Sequence, residues 1–141
     1  MRRLLSIVFP IGLWCLLVPG YASSPNLKQQ LSAQHFSGML EGDVRFTSLG
    51  TIHCGAKSPH VIFYEWYESS PPGKAVHSSH RVILMDGMTY IGSYAVEDKP
   101  SIQGGVMRFP YNADGNSISC GTDGVVPQKV LLDGEIILLE K

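Results

Sequence analysis

Two Asp-Gly dipeptides, Asp86-Gly87 and Asp133-Gly134, each stand between two short apolar runs, and this constrains the fold more than any other feature. Both residue types tolerate the positive φ that a two-residue hairpin turn demands, so each dipeptide marks the point where one strand folds back on the next. For the first, Arg81–Met85 would pair with Met88–Ile91, setting Ile83 opposite Tyr90 and Val82 opposite Ile91. For the second, Lys129–Leu132 would pair with Glu135–Leu139, setting Leu131 opposite Ile136 and Val130 opposite Ile137.

The rest of the chain from His35 onward follows the same period of two, interrupted by Gly, Pro, Asn and Asp clusters. His35–Leu40 and Val44–Cys54 read as strands joined at Glu41-Gly42-Asp43. Val61–Tyr67 reads as a central strand because both of its faces are apolar: Ile62, Tyr64 and Trp66 on one, Val61, Phe63, Glu65 and Tyr67 on the other. Gly105–Phe109 and Ser117–Cys120 are shorter strands, and Gly104-Gly105 is a turn or bulge. The pattern predicts a mainly β domain over 35–141, an antiparallel β-sandwich or small β-barrel of about eight short strands. Residues 23–34 form a polar arm or a short N-terminal helix, with Leu27, Leu31 and Gln34 along one side after Ser24-Pro25-Asn26.

Residues 1–22 read as a secretory signal peptide. Arg2 and Arg3 precede an apolar run from Leu4 to Val18, Pro19 and Gly20 end it, and Gly20-Tyr21-Ala22 offers small residues at the positions a signal peptidase reads. The run is too short for a membrane span of about 20 residues and no stop-transfer charges follow it. The expected location is therefore periplasmic or secreted, with no membrane span after cleavage. Cys15 leaves with the leader, and the remaining pair, Cys54 and Cys120, is most simply one disulfide in an exported chain. On the loop-entropy model such a cross-link is worth roughly 4 kcal/mol. Two free thiols, or a metal pair completed by a histidine, are the alternatives, but no CxxC spacing supports a metal.

A formal net charge of −1, with basic residues spread singly, excludes the clustered basic surface of a nucleic-acid binder. At 44% hydrophobic and 16% charged, the chain is too apolar for a disordered one. His77 and His80 form an H-x-x-H pair, but Pro71, Pro72 and Gly73 rule out a helix before it and a zinc site needs at least one further ligand. Asn112–Asn116 alternates oxygen-bearing side chains as a calcium loop does, yet Ser117 stands where that loop needs glycine. No metal and no cofactor is expected. A G-x-S-x-G elbow is absent, and Glu65, whose pKa burial would raise, has no partner acid; a salt bridge to Arg81 or Arg45 across the sheet, or simple solvent exposure at a face edge, is expected instead. The chain does not read as an enzyme.

What remains is surface. The connection from Ser69 to Ser79 is long for a hairpin, and a rigid sheet carrying a loop with two prolines is a common way to present a recognition element. Lys74, His77 and His80 are the expected partner-binding residues. In size, export signal and single disulfide, the chain resembles periplasmic lysozyme inhibitors and type VI immunity proteins, though it carries no defining motif of either. That resemblance implies a protein partner, a cell-wall-degrading enzyme or a delivered toxin. The alternative is a small-ligand or carbohydrate-binding barrel with Tyr64, Trp66, Tyr90 and Tyr94 lining its mouth.

Overall fold

A computed structural model describes residues 24–57, 59–110 and 116–141. The leader reading and most of the Asn112–Asn116 loop fall outside these residues. Helix α1 (Ser24–Ser32) is followed by β1 (Arg45–Ile52), β2 (His60–Ser69), β3 (His77–Asp86), β4 (Thr89–Ala95), β5 (Ser101–Gln103), β6 (Val106–Arg108), β7 (Ser117–Ile118), β8 (Lys129–Leu132) and β9 (Glu135–Leu138). The protein is mainly β, and every strand pairing is antiparallel.

Strands β1 to β4 form one sheet in chain order, β5 to β7 a second, and β8 with β9 a third. These ladders stay separate among the described residues, joined by an isolated bridge between Ser93 and Glu140, so the arrangement is a layering of open sheets. Period-two alternation explains the layers. Ile62 and Tyr64 of β2, with Val82 and Leu84 of β3 and Tyr94 of β4, turn to one face of the four-stranded sheet. There they pack against Met107, Phe109, Ile118, Leu132 and Leu139 from the smaller sheets and their flanks. Ile83 and Met85 turn to the other face, where Leu27, Leu31 and Phe36 cover them and Val61, Phe63 and Tyr90 pack alongside. As its two apolar faces require, β2 is central, flanked by β1 and β3.

Helix α1 is short enough to be marginal in isolation, and tertiary packing is what holds it. Leu27 and Leu31 are buried on the sheet, as their four-residue spacing predicts. Gln34, the third residue of that series, secures the β3–β4 turn. Its Oε1 accepts from the Tyr90 amide at 2.7 Å and its Nε2 donates to the Met88 carbonyl at 2.8 Å.

Two sequence expectations are corrected here. His35–Leu40 is not a strand. The Phe36 amide reaches back to the Leu31 carbonyl and His35 takes a φ of 58°, which closes the helix and turns the chain so that Phe36 drops onto Tyr90 edge-to-face. The β3–β4 register also differs. Asp86 pairs with Thr89 and Met85 with Tyr90, leaving Gly87-Met88 as the turn, and a bulge at Ile91 then sets Leu84 opposite Gly92, Ile83 opposite Ser93 and Val82 opposite Tyr94. The β8–β9 hairpin has the expected register, Leu131 with Ile136 and Val130 with Ile137. Asp133 and Gly134 hold its turn at φ of 50° and 84°.

The Cys54–Cys120 disulfide is present. It joins the segment after β1 to the segment after β7, and so ties the four-stranded sheet to the three-stranded one.

Candidate functional site

The β2–β3 pairing runs further than either neighbour can follow. On one side β1 begins at Arg45, opposite Trp66; on the other, β4 ends at Ala95, opposite Arg81. Three more residue pairs, Tyr67 with Ser79, Glu68 with Ser78 and Ser69 with His77, continue the ladder as a ribbon two strands wide. At about 3.3 Å per residue this projects roughly 10 Å past the sheet before the tip is counted. The tip is Ser70 to Val76, where the Lys74 amide donates to the Pro71 carbonyl at 3.0 Å. Lys74 and His77 are exposed, and so is Val76, at 58%.

His80 is placed differently from the other two expected contact residues. It lies at the base of this finger, half-buried, opposite Trp66, with its ring edge-on to Tyr64 at 6.1 Å. Nδ1 donates to the Glu97 carbonyl at 3.0 Å, while Nε2 is buried without a partner among the described residues. His77 and His80 are three apart on one strand, so their side chains leave opposite faces of it. The connection expected from Ser69 to Ser79 is thus shorter, Ser70 to Val76, with Lys74 in it and His77 on the rung beneath, while His80 borders a cleft of about 390 Å³ lined by Ser78, Ser79, Arg81, Ala95, Val96 and Glu97. A neighbouring cleft of about 410 Å³ shares Ala95, Val96 and Glu97. Asp98, Asp133 and Glu135 edge it, and Phe109, Leu132 and Ile137 supply its apolar lining.

The opposite face of the finger's base is held by a buried carboxyl group. Glu65 is fully buried. Its Oε1 accepts from the Met39 amide at 3.1 Å and from the Ser79 hydroxyl at 3.0 Å, and its Oε2 lies 3.9 Å from Arg81 Nε. Burial pushes its pKa up. The Met39 and Ser79 hydrogen bonds and the Arg81 and His80 charges work against this without cancelling it. Gly38 permits the closure, since a Cβ there would come within 2.5 Å of Glu65 Oε2 and closer still to the Phe36 ring. Glu65 is thereby covered by the segment 38–39, and the Arg81 pairing is one of the two the sequence offered.

The four aromatics named as ligand-facing are spread over both faces of the sheet. Tyr94 is fully buried, and its hydroxyl donates to the Pro127 carbonyl at 2.5 Å. Tyr64 is 6% exposed, in the same core cluster. Trp66 is half-buried under the Arg45 guanidinium, 5.0 Å from the ring centroid. Tyr90, on the helix side, donates to the Ser93 hydroxyl at 3.0 Å. Among the described residues these rings divide between the two faces of the sheet, Tyr64, Trp66 and Tyr94 on one and Tyr90 on the other.

Sequence reasoning missed the relative lengths of the strands, and with them the finger; nothing in the residues of β1 or β4 alone says where pairing with a neighbour stops. It also missed His60, which is buried beside the two cysteines. Among the described residues no helix is long and apolar enough to cross a membrane. No family model, curated protein or solved structure matches this chain.

Proposed function

We propose that this chain is an exported β domain that binds another protein of the envelope or extracellular space, acting as an inhibitor of, or immunity protein against, a cell-wall-degrading enzyme. The β2–β3 finger carries the reading. A narrow ribbon reaching past both neighbouring strands, with Lys74 and Val76 exposed at its tip and His77 exposed on the rung beneath, has the shape needed to enter an enzyme's cleft. An apolar side chain beside a cation also suits a hydrolase cleft lined with carboxylates. Export is supported by the leader pattern of residues 1–22 and by the disulfide, since disulfides persist in oxidising compartments. No catalytic role is assigned to any residue, and Glu65, the one carboxyl among the described residues with a raised pKa, is sealed from solvent.

The small-ligand or carbohydrate reading ranks second because Tyr64 and Tyr94 serve as core. It would require Trp66 and Tyr90 to act from opposite faces.

Binding is tested by size-exclusion and calorimetry of the exported chain with a panel of muramidases and amidases. Replacing 71–76 by Asn-Gly keeps the hairpin closed while removing the tip. Affinity for the enzyme bound should fall at least about tenfold, as for loss of an interface anchor. A second variant, Leu131→Ser with Ile136→Ser, alters the exposed cross-strand pair on β8 and β9 and should leave binding intact. Binding abolished by that pair and untouched by the tip replacement overturns the finger as the contact.

A further inference from the structure

Behind the β1–β2 connection lies a group of side chains that the protein-binding reading does not use. Ile52 and His60 pair across the end of the β1–β2 ladder, and Cys54 sits two residues into the loop between them. That short return folds the imidazole back onto the cysteine, and the disulfide brings Cys120 to the same point. One ligand atom from each of Cys54, His60 and Cys120 lies within 4.8 Å of the others. Cys54 is fully buried, His60 is 5% exposed, and Cys120 is partly open to solvent.

His60 is the informative member. A buried ring nitrogen normally has a hydrogen-bond partner, because leaving it unpaired costs about 1–3 kcal/mol. Yet Nδ1 of His60 has none among the described residues. Structural packing alone would be served as well by an apolar residue at this position. Two cysteine sulfurs and one imidazole are also the donor set of a zinc site with three protein ligands.

We propose that Cys54, Cys120 and His60 form a redox-gated zinc site, closed as long as the disulfide stands and competent once it is reduced. The balance is simple. A dithiol reductant gives two electrons and two protons to the Cys54–Cys120 bond, becoming a disulfide itself and leaving two thiols. Zinc(II) then displaces both thiol protons and takes the two thiolates and the His60 imidazole as ligands. Water holds the fourth position, reached from the side of Cys120. Metal and disulfide exclude one another because both use the same pair of sulfurs. The same cross-connection between the sheets is kept in either state, by a covalent bond in one and by coordination in the other.

The test uses the full chain, expressed with its leader and purified as the cell releases it. Before reduction, cobalt(II) should produce no thiolate-to-metal charge-transfer band. After anaerobic treatment with a phosphine reductant, one equivalent should produce that band with tetrahedral ligand-field absorption, and zinc(II) should displace it. Zinc should also protect Cys54 and Cys120 from alkylation, read peptide by peptide. His60→Ala should weaken cobalt binding by at least about tenfold, the lower end for loss of a group that supports a metal, while His77→Ala leaves it unchanged. X-ray absorption of the zinc-loaded wild type should give a shell of two sulfurs with nitrogen, a readout independent of whether the His60 variant folds. Failure of the reduced wild type to bind cobalt, equal affinity in a folded His60→Ala variant, or a zinc shell without sulfur overturns the proposal.

Discussion

Glu65 and Arg81 stand directly opposite one another on β2 and β3, yet the guanidinium gives its short hydrogen bond to Glu140, at 2.6 Å, and reaches Glu65 only at 3.9 Å. The buried carboxyl is thus the less well neutralised of the two, although it is the one withdrawn from water. This ordering sets opposite pH dependences for the two acids.

Glu65 holds its proton more tightly in the fold than in the unfolded chain, because burial raises its pKa beyond what its hydrogen bonds and neighbouring charges recover. Its contribution to stability is therefore full below the ordinary carboxylate range and is lost as pH climbs through the raised value. Glu65→Gln mimics the protonated form at every pH. Urea-unfolding midpoints measured across pH should decline less steeply on the alkaline side of that range in the variant than in the wild type. An unchanged slope would mean that the carboxyl is satisfied as an anion.

Glu140 has the reverse sign. Burial works against its charged form, but the Ser37 hydroxyl and Arg81 outweigh it and bring its pKa below the usual value. Its contribution is present above the ordinary carboxylate range and is lost as pH falls through the lowered value. With the side chain 41% exposed, solvent screening limits the pair to about 0.5–1 kcal/mol. Glu140→Gln should cost that much at neutral pH, and the gap from wild type should close on acidification. A gap that widens in acid contradicts the assignment.

The disulfide spans a sequence separation of 66 and so constrains the unfolded chain strongly. Replacing both Cys54 and Cys120 by Ala should cost about 4 kcal/mol on the loop-entropy model. Chemical denaturation of the metal-free variant measures it directly, and a loss below about 1 kcal/mol would show that the sheets hold together without the link.

Gly92 provides the room in which the C-terminal segment bonds to β4. A Cβ there would lie 2.8 Å from the Glu140 carbonyl oxygen and equally close to Leu139, where the Ser93 amide donates to Glu140 and the Glu140 amide to Ser93, both at 2.9 Å. Gly92→Ala should cost about 1–3 kcal/mol by overpacking. Hydrogen exchange should quicken first at the Ser93 and Glu140 amides; uniform quickening across β2 and β3 would place the damage elsewhere.

How far the sequence reached depended on the range of the interaction. The alternation in Val61–Tyr67 placed β2 at the centre, and Asp133-Gly134 placed the β8–β9 register, because both signals are local and undiluted. Asp86-Gly87 failed by one position at the turn, which moves every partner by two residues, and again at Ile91, where the bulge shifts the later pairs by a third. His35–Leu40 alternates like a strand but is a helix exit, since Phe36 finds burial against Tyr90 and no neighbouring strand is there to pair with. At the candidate site, Lys74 stood out as a loop residue, whereas His77 and His80, read as part of the same loop, lie on β3. The burial of Tyr64 and Tyr94, and the approach of His60 to the cysteines, arise from contacts between distant segments that no short window encodes.

Past Trp66 and Arg81 the sheet gives way to a lone pair of strands, and a ribbon of that width is barely stable by itself. A ribbon with a free edge on both sides is expected to open at lower free energy than the four-stranded sheet it extends from. On the proposed reading, a partner that grips it must also quiet it, so residues that never touch the partner can still set the dissociation rate. Pro71 and Pro72 already narrow what the tip can explore. Affinity could then be retuned by changes at the tip alone, leaving the foundations of the molecule untouched.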